Sequence, residues 1–213
     1  MRRVVFNQKG GVGKSSIACN LAAVSAAQGY RTLVVDLDAQ ANSTHDLTGL
    51  SGDDIPMGIA DFFKQTLSSG PFAKKATVDI YERIYLDTPP ALNFYAVSAL
   101  IAADRVLIPF DCDSFSRNAL YGLLREIEEL KEDHNEGLQV EGIVVNQFQP
   151  RASLPQQLLD ELIAEGMPVL PVNLMSSVKM RESHQACMPL IHLDARHKLS
   201  QQFVELHDLL NGG

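Results

Sequence analysis

At 213 residues, 46% hydrophobic and 21% charged, the chain can bury a sizeable core as one domain and is too apolar for a disordered polypeptide. Its formal charge of −8 works against wholesale binding to nucleic acid, so any such contact must come from a local basic patch. No stretch is long and apolar enough to span a membrane, and Cys19, Cys112 and Cys187 are too isolated for a disulfide framework or metal-ligand spacing. A reducing cytoplasm is the expected compartment. No signal peptide is expected, because Met1-Arg2-Arg3 leads straight into the first apolar run.

Val4-Val5-Phe6 reads as a short buried strand and Ile17–Val24 as a buried helix. Between them, Gly10-x-x-Gly13-Lys14-Ser15 is most of a phosphate-binding loop, lacking its leading glycine. In such a loop the backbone N–H groups and the start of the next helix converge on an anion, and glycines let the backbone approach it. Lys14 can then reach the β/γ oxygens of a nucleotide, and the Ser15 hydroxyl can ligate Mg²⁺. Leu33-Val34-Val35 is a second buried strand, ending in Asp36 and Asp38, where open α/β sheets place their ligands. Ile84-Tyr85-Leu86 is a third, ending in Asp87 and followed by Pro89-Pro90, which can continue neither strand nor helix. Arg105–Phe110 and Gly142–Gln147 are further strands, separated by a helix over Ala119–Asp133, and Val169–Asn173 is a last short one. Alternation of apolar strands with helices predicts an α/β doubly wound, mainly parallel sheet.

The loop carries a second cation, Lys9, five positions before Lys14. Lys-Gly-Gly-x-Gly-Lys-Ser resembles the deviant phosphate loop of the ParA/MinD-type ATPases, closest to small ParA/Soj-like partitioning ATPases. Asp36-Leu37-Asp38-Ala39-Gln40 is similar to that family's Asp-x-Asp-x-Gln motif, with Ala39 where proline is common, and Arg83–Pro90 resembles its Walker B segment. The resemblance implies a P-loop NTPase fold, a single ATPase domain over residues 1–213 without an N-terminal helix-turn-helix extension, and Mg²⁺-dependent hydrolysis of ATP. It places the nucleotide on Lys9, Gly10, Gly11, Val12, Gly13, Lys14, Ser15 and Ser16, with Lys9 reaching the nucleotide of a partner subunit in an ATP-bound homodimer. Asp87 would hold Mg²⁺ with Ser15, Asp38 would orient the attacking water, and Asp36 would support the loop. Asn146 would contact the base, and the loop after the last strand, at Pro171, would close over it.

What the cycle drives is a separate question. A ParA-like reading has the ATP dimer bind DNA non-specifically, associate with the nucleoid and position a chromosome, plasmid or other large assembly, reset by a ParB-like or other activating partner. Its candidate DNA contacts are Arg151, Lys179, Arg181, Arg196 and Lys198. A MinD-like membrane-cycling reading needs a basic amphipathic terminal helix. Lys198–Leu210 has an apolar stripe (Leu199, Phe203, Leu206, Leu210), but Glu205 and Asp208 on its polar face favour packing on the domain, so no stable membrane association is expected. A cluster or metal carrier would need a Cys-x-x-Cys that does not occur, and a non-catalytic nucleotide-binding scaffold is the remaining reading. One departure stands out: only residues 64–80, with a short possible strand at Val78–Ile80, separate Asp61-Phe62-Phe63 from Tyr81, where relatives usually have a further strand and helix. Either the protein lacks them or a segment is missing near Ile80-Tyr81.

Overall fold

The computed structural model describes residues 1–51, 54, 80–112, 116–150 and 152–212. Five parallel strands, β1 (Arg2–Val5), β2 (Thr32–Asp36), β3 (Arg83–Asp87), β4 (Arg105–Asp111) and β5 (Gln139–Asn146), form one sheet in the order β2-β3-β1-β4-β5. The first strand is therefore central: the chain next lays down the outer strand β2, returns inward to place β3 beside β1, and then crosses to the other side for β4 and β5. That reversal opens a crevice at the carboxyl end of β1.

Side chains alternate between two cores, as the period of two requires. Val4, Ile84, Leu86, Val106, Ile108, Ile143 and Val145 face one core, covered by α3 (Phe94–Ala102), α4 (Ser116–His134) and α5 (Ser153–Ala164). Val5, Tyr85, Leu107 and Val144 face the other, with α1 (Lys14–Ala27) and α8 (Lys198–Leu210). On that side also lie the short helices α6 (Val178–Gln185) and α7 (Leu190–Leu193), while α2 (Asn42–Thr48) packs on β2 and α1. Helix α1 is buried from Ile17 through Ser25, nearly all round, because sheet, α2 and α8 enclose it. The stripe Leu199, Phe203, Leu206 and Leu210 of α8 is buried against this core, as its sequence predicts.

The last predicted strand forms only in part. Val169 makes a single parallel bridge to Ile143 and Met175 another to Phe148. Pro168 and Pro171 have no N–H to give, so regular pairing along β5 is interrupted. The predicted strand at Val78–Ile80 and the short 64–80 region lie outside the described residues, apart from Ile80, an exposed turn residue.

One buried charge runs against the apolar pattern of β1. Arg3 is fully buried, its Nη2 donating at 2.7 Å to Glu141 Oε1 of β5 and its Nη1 at 3.2 Å to the Tyr85 hydroxyl. Its Nη2 also reaches the Leu210 carbonyl at 3.2 Å, so the pair ties the central strand to an edge strand and to the end of α8. Nearby, the Ser25 hydroxyl bridges the Tyr85 hydroxyl at 2.7 Å and His207 Nε2 at 2.8 Å. Removing one member of a buried ion pair strands the other without compensation. Glu141→Gln is therefore expected to lower the unfolding free energy by ~3 kcal/mol, read from urea denaturation. A loss within error of zero would show that the pair does not anchor the sheet.

Candidate nucleotide-binding site

The loop between β1 and α1 is held from three sides. Asn7, buried at the end of the strand, donates through Nδ2 to the Pro109 carbonyl of β4 at 2.7 Å and accepts the Lys9 N–H at 2.8 Å. From the end of β5, Asn146 Nδ2 donates to the Val12 carbonyl and Gln147 Nε2 to the Gly11 carbonyl, each at 2.9 Å. Lys14 Nζ donates to the Lys9 carbonyl at 3.0 Å, across the mouth of the loop. With these carbonyls engaged, the loop turns its amide side and the positive end of the 14-residue α1 toward the crevice. Gly13 has φ +89°, and a Cβ there would fall 2.2 Å from Asn146 Nδ2, so both backbone and space demand glycine.

Opposite the loop stand three aspartates. Asp36 accepts the Asp38 N–H through Oδ1 at 3.1 Å, and the Thr44 N–H and hydroxyl through Oδ2 at 2.9 Å each, which holds the turn into α2. That turn passes through Ala41 at φ +54°, a left-handed conformation unfavourable for alanine. Asp38, partly exposed, accepts the Gln40 N–H at 3.0 Å and lines the cleft beside Lys14. Asp87 is fully buried at the end of β3, its Oδ2 accepting from Ser43 Oγ of α2 at 2.7 Å while its Oδ1 has no protein partner. Burial pushes its pKa up to about 6, against the opposing pull of the Ser15 and Ser43 hydroxyls and of Lys14. An orphaned, buried carboxylate oxygen next to the Ser15 hydroxyl is a donor set that suits Mg²⁺. Burial lowers the Lys14 pKa, and the charges of Asp87 and Asp38 work to raise it.

Two adjoining clefts open over the loop. The first, about 490 Å³, is lined by Gly10, Gly11, Gly13, Lys14, Ser15, Asp38 and Pro90, with His45 and Asp46 of α2. The second, about 410 Å³, is lined by Asn146, Gln147, Met175–Ser177, Met180 and Arg181. Gly11, Gly13, Ser16 and His184 belong to both. His184 of α6 stands between Ser16 Oγ, 3.2 Å from its Nε2, and Asp46 Oδ2, 2.7 Å from its Nδ1. Lys9 sits at the rim, its Nζ 3.2 Å from Asp111 Oδ2.

The structure thus gathers the loop residues, Asp38, Asp87 and Asn146 around one crevice. Pro171 is exposed and off the cleft, whose wall on that segment is Met175–Ser177. Of the basic candidates, Lys179 pairs with Glu182 at 2.8 Å, Arg181 faces the second cleft, Arg196 and Lys198 are exposed, and Arg151 lies outside the described residues. Sequence reasoning missed Ser43, Asp46, Gln147 and His184. The position of Gln147, directly after the strand-ending asparagine, was the one local signal.

A parallel, centrally started sheet with a clamped glycine loop and a strand-end aspartate defines a P-loop nucleotide-binding protein. Residues 3–189 match the family described as CobQ/CobB/MinD/ParA nucleotide binding domain, and the chain belongs to that family as a ParA/MinD-type P-loop ATPase. It is 29% identical over 240 residues to the chromosome partitioning protein ParA of Myxococcus xanthus, covering 95% of this chain and 84% of that protein. It is 33% identical over 192 residues to the chromosome-partitioning ATPase Soj of Thermus thermophilus, covering 77% of this chain and 76% of the relative. Among solved structures, a Cyanothece McdA–ATP complex superposes with a TM-score of 0.79 at 18% identity, over 99% of this chain and 96% of that one. The cell division ATPase MinD of Pyrococcus furiosus gives 0.75 at 19%, over 99% and 98%. Such identities speak to the fold.

The raised pKa of Asp87 has a thermodynamic consequence. A carboxyl that titrates near 6 when folded, against 3.8 ordinarily, binds more protons folded than unfolded between those values, so stability falls as pH rises through that window. Asp87→Asn is expected to stabilise the nucleotide-free protein at pH 7.5 by ~1–3 kcal/mol, with the gain vanishing below about pH 4, and to abolish the tightening of nucleotide binding by Mg²⁺. Thermal unfolding across pH, with and without Mg²⁺ and ATP, checks both. For Gly13→Ala, nucleotide binding should fall beyond detection in calorimetry.

Proposed function

We propose that this protein is a ParA-like positioning ATPase that dimerises on ATP, binds DNA non-specifically and is reset by partner-stimulated hydrolysis. One observation carries the reading: the loop bears two lysines with different placements. Lys14 is buried at the floor, its Nζ on the Lys9 carbonyl, whereas Lys9 lies at the rim with a third of its side chain exposed. A lysine at the rim is placed to meet a facing subunit. Pro90 packs beside Gly10, and the following Leu92 and Phe94 are exposed, 40% and 68%, so an apolar surface adjoins the crevice where a second copy would close.

In this scheme the loop and Lys14 bind the phosphates of ATP, and Ser15 and Asp87 hold Mg²⁺, which when bound neutralises charge on the phosphoryl oxygens. Asp38, oriented by its bond from Gln40 and by Asp36, positions the water that attacks in line. Lys9 of the partner subunit adds the second cation, so assembly and hydrolysis depend on each other. Asn146, with Nδ2 engaged on Val12, keeps Oδ1 to accept from an adenine amino group.

DNA would meet Lys179, Arg181, Arg196 and Lys198 at the C-terminal side, with Arg151 a further candidate, and Lys179 would exchange Glu182 for phosphate. The reading places the protein in the cytoplasm, nucleoid-associated in its ATP form. A MinD-like membrane cycle is disfavoured because the apolar stripe of α8 is buried within the domain.

Three variants separate the roles. Lys14→Ala is expected to lose ATP binding. Asp38→Ala should keep ATP and accumulate as a dimer, with turnover reduced ~100-fold or more. Lys9→Ala should bind ATP as a monomer. Size-exclusion chromatography with saturating ATP reads these, and a monomeric Asp38→Ala would sink the dimer scheme. Retention on DNA of arbitrary sequence should occur with ATP alone and fall steeply between about 50 and 200 mM salt.

A further inference from the structure

The nucleotide reading leaves His184 without a role, although it lines both clefts. A nucleotide with its polyphosphate in the first cleft and its base in the second must pass the residues common to both, Gly11, Gly13, Ser16 and His184. Two of those are glycines, and Ser16 and His184 are bonded to each other. What a nucleotide presents at that junction is its α-phosphoryl group and ribose. We infer that His184 of α6 is a nucleotide contact that closes on the α-phosphoryl oxygens, with Asp46 of α2 as its positioning residue; the inference rests on the nucleotide site proposed above.

The geometry supports a donor to an anion. The Asp46 carboxylate, at 2.7 Å, accepts the Nδ1 proton and fixes the ring, so Nε2 is left facing Ser16 Oγ and the clefts. In the neutral ring Nε2 accepts from the serine. Once protonated, it donates, and the arriving phosphate then meets an imidazolium and a hydroxyl side by side. Asp46 holds the His184 pKa above the ordinary histidine value, with partial burial opposing it. The other groups near the ring are of both signs: Lys14 and Asp38 line the same first cleft, Arg181 of α6 faces the second, and His45 adjoins Asp46 on α2. From α7, packed against α6, the titratable group is His192, which is exposed. Because α6 also carries Lys179, the same contact would fix the helix that presents a DNA candidate when nucleotide is bound.

The test is calorimetric binding of ATP, ADP, AMP and adenosine, each to the full chain, to His184→Asn, to His184→Gln and to Asp46→Asn. The expected result is a ~10-fold loss of affinity for ATP, ADP and AMP alike in the His184 variants, as for one charge-assisted hydrogen bond, and a smaller loss in Asp46→Asn. Adenosine should bind all four proteins equally. Affinity of the unaltered chain should also fall between about pH 6 and 8, and this slope should flatten in His184→Gln. A matching loss for adenosine would assign the contact to the ribose and overturn the α-phosphoryl assignment. Affinities and pH slopes unchanged in both His184 variants would overturn the inference while leaving the nucleotide site intact, whereas failure of the unaltered chain to bind ATP would overturn both. Thermal unfolding of each nucleotide-free variant within a few degrees of the unaltered chain confirms that the comparison is between folded proteins.

Discussion

A lysine buried between two carboxylates, at the carboxyl end of the central strand, where the order of strands crosses from one side to the other, sets the terms for everything around it. Lys14 is withdrawn from water at the head of α1, and Asp87 is withdrawn further at the end of β3. Burial disfavours the charged form of each, and their proximity restores part of what burial removes. One oxygen of Asp87 has no protein partner. That oxygen suits a cation, and the Lys14 ammonium near it suits an anion. The surrounding fold tolerates this only because two apolar cores hold the strand ends in register.

The loop has little structure of its own to keep it in shape. Its form comes from neighbours that are distant in sequence: Asn146 and Gln147 reach its carbonyls from the end of β5, and Asn7 ties its entrance to β4. The absence of a side chain at Gly13 is what lets Asn146 come so close. Helix α2 serves the opposite wall, since Asp36 holds its first turn and Ser43 returns a hydrogen bond to Asp87. The second cleft, the glycine loop and Asp87 are thus linked through hydrogen bonds rather than through one continuous segment. A nucleotide seated across them would bear on β5, α2 and α6 together, the coupling that a nucleotide-gated assembly requires.

Much of this was legible from local pattern. Each of the five strands announces itself as an apolar run ending in a polar residue at the ligand edge, because strands of a parallel sheet are buried on both faces. The stripe of α8 at 199, 203, 206 and 210 specified its packing face, since the helical period brings those positions onto one side. Other features were opaque for definite reasons. Arg3 looks like a surface charge beside a strand; only the approach of Glu141 from another strand makes it a core residue. Val169–Asn173 has strand composition, yet Pro171 within it and Pro168 before it interrupt the pairing. Nothing near His184 in sequence points to a site, because its partners, Ser16 and Asp46, lie 168 and 138 residues away.

By itself, the sequence determined the phosphate-binding chemistry and the order of strands and helices, because glycine spacing, a paired lysine and serine, and apolar periodicity act over a few residues. Tertiary structure alone decided which polar groups became partners across the crevice, how deeply Asp87 was buried, and that a histidine from a C-terminal helix stands between the two clefts. Those depend on distances closed by the sheet, and no short stretch of chain encodes a contact whose other half arrives from the far end of the fold.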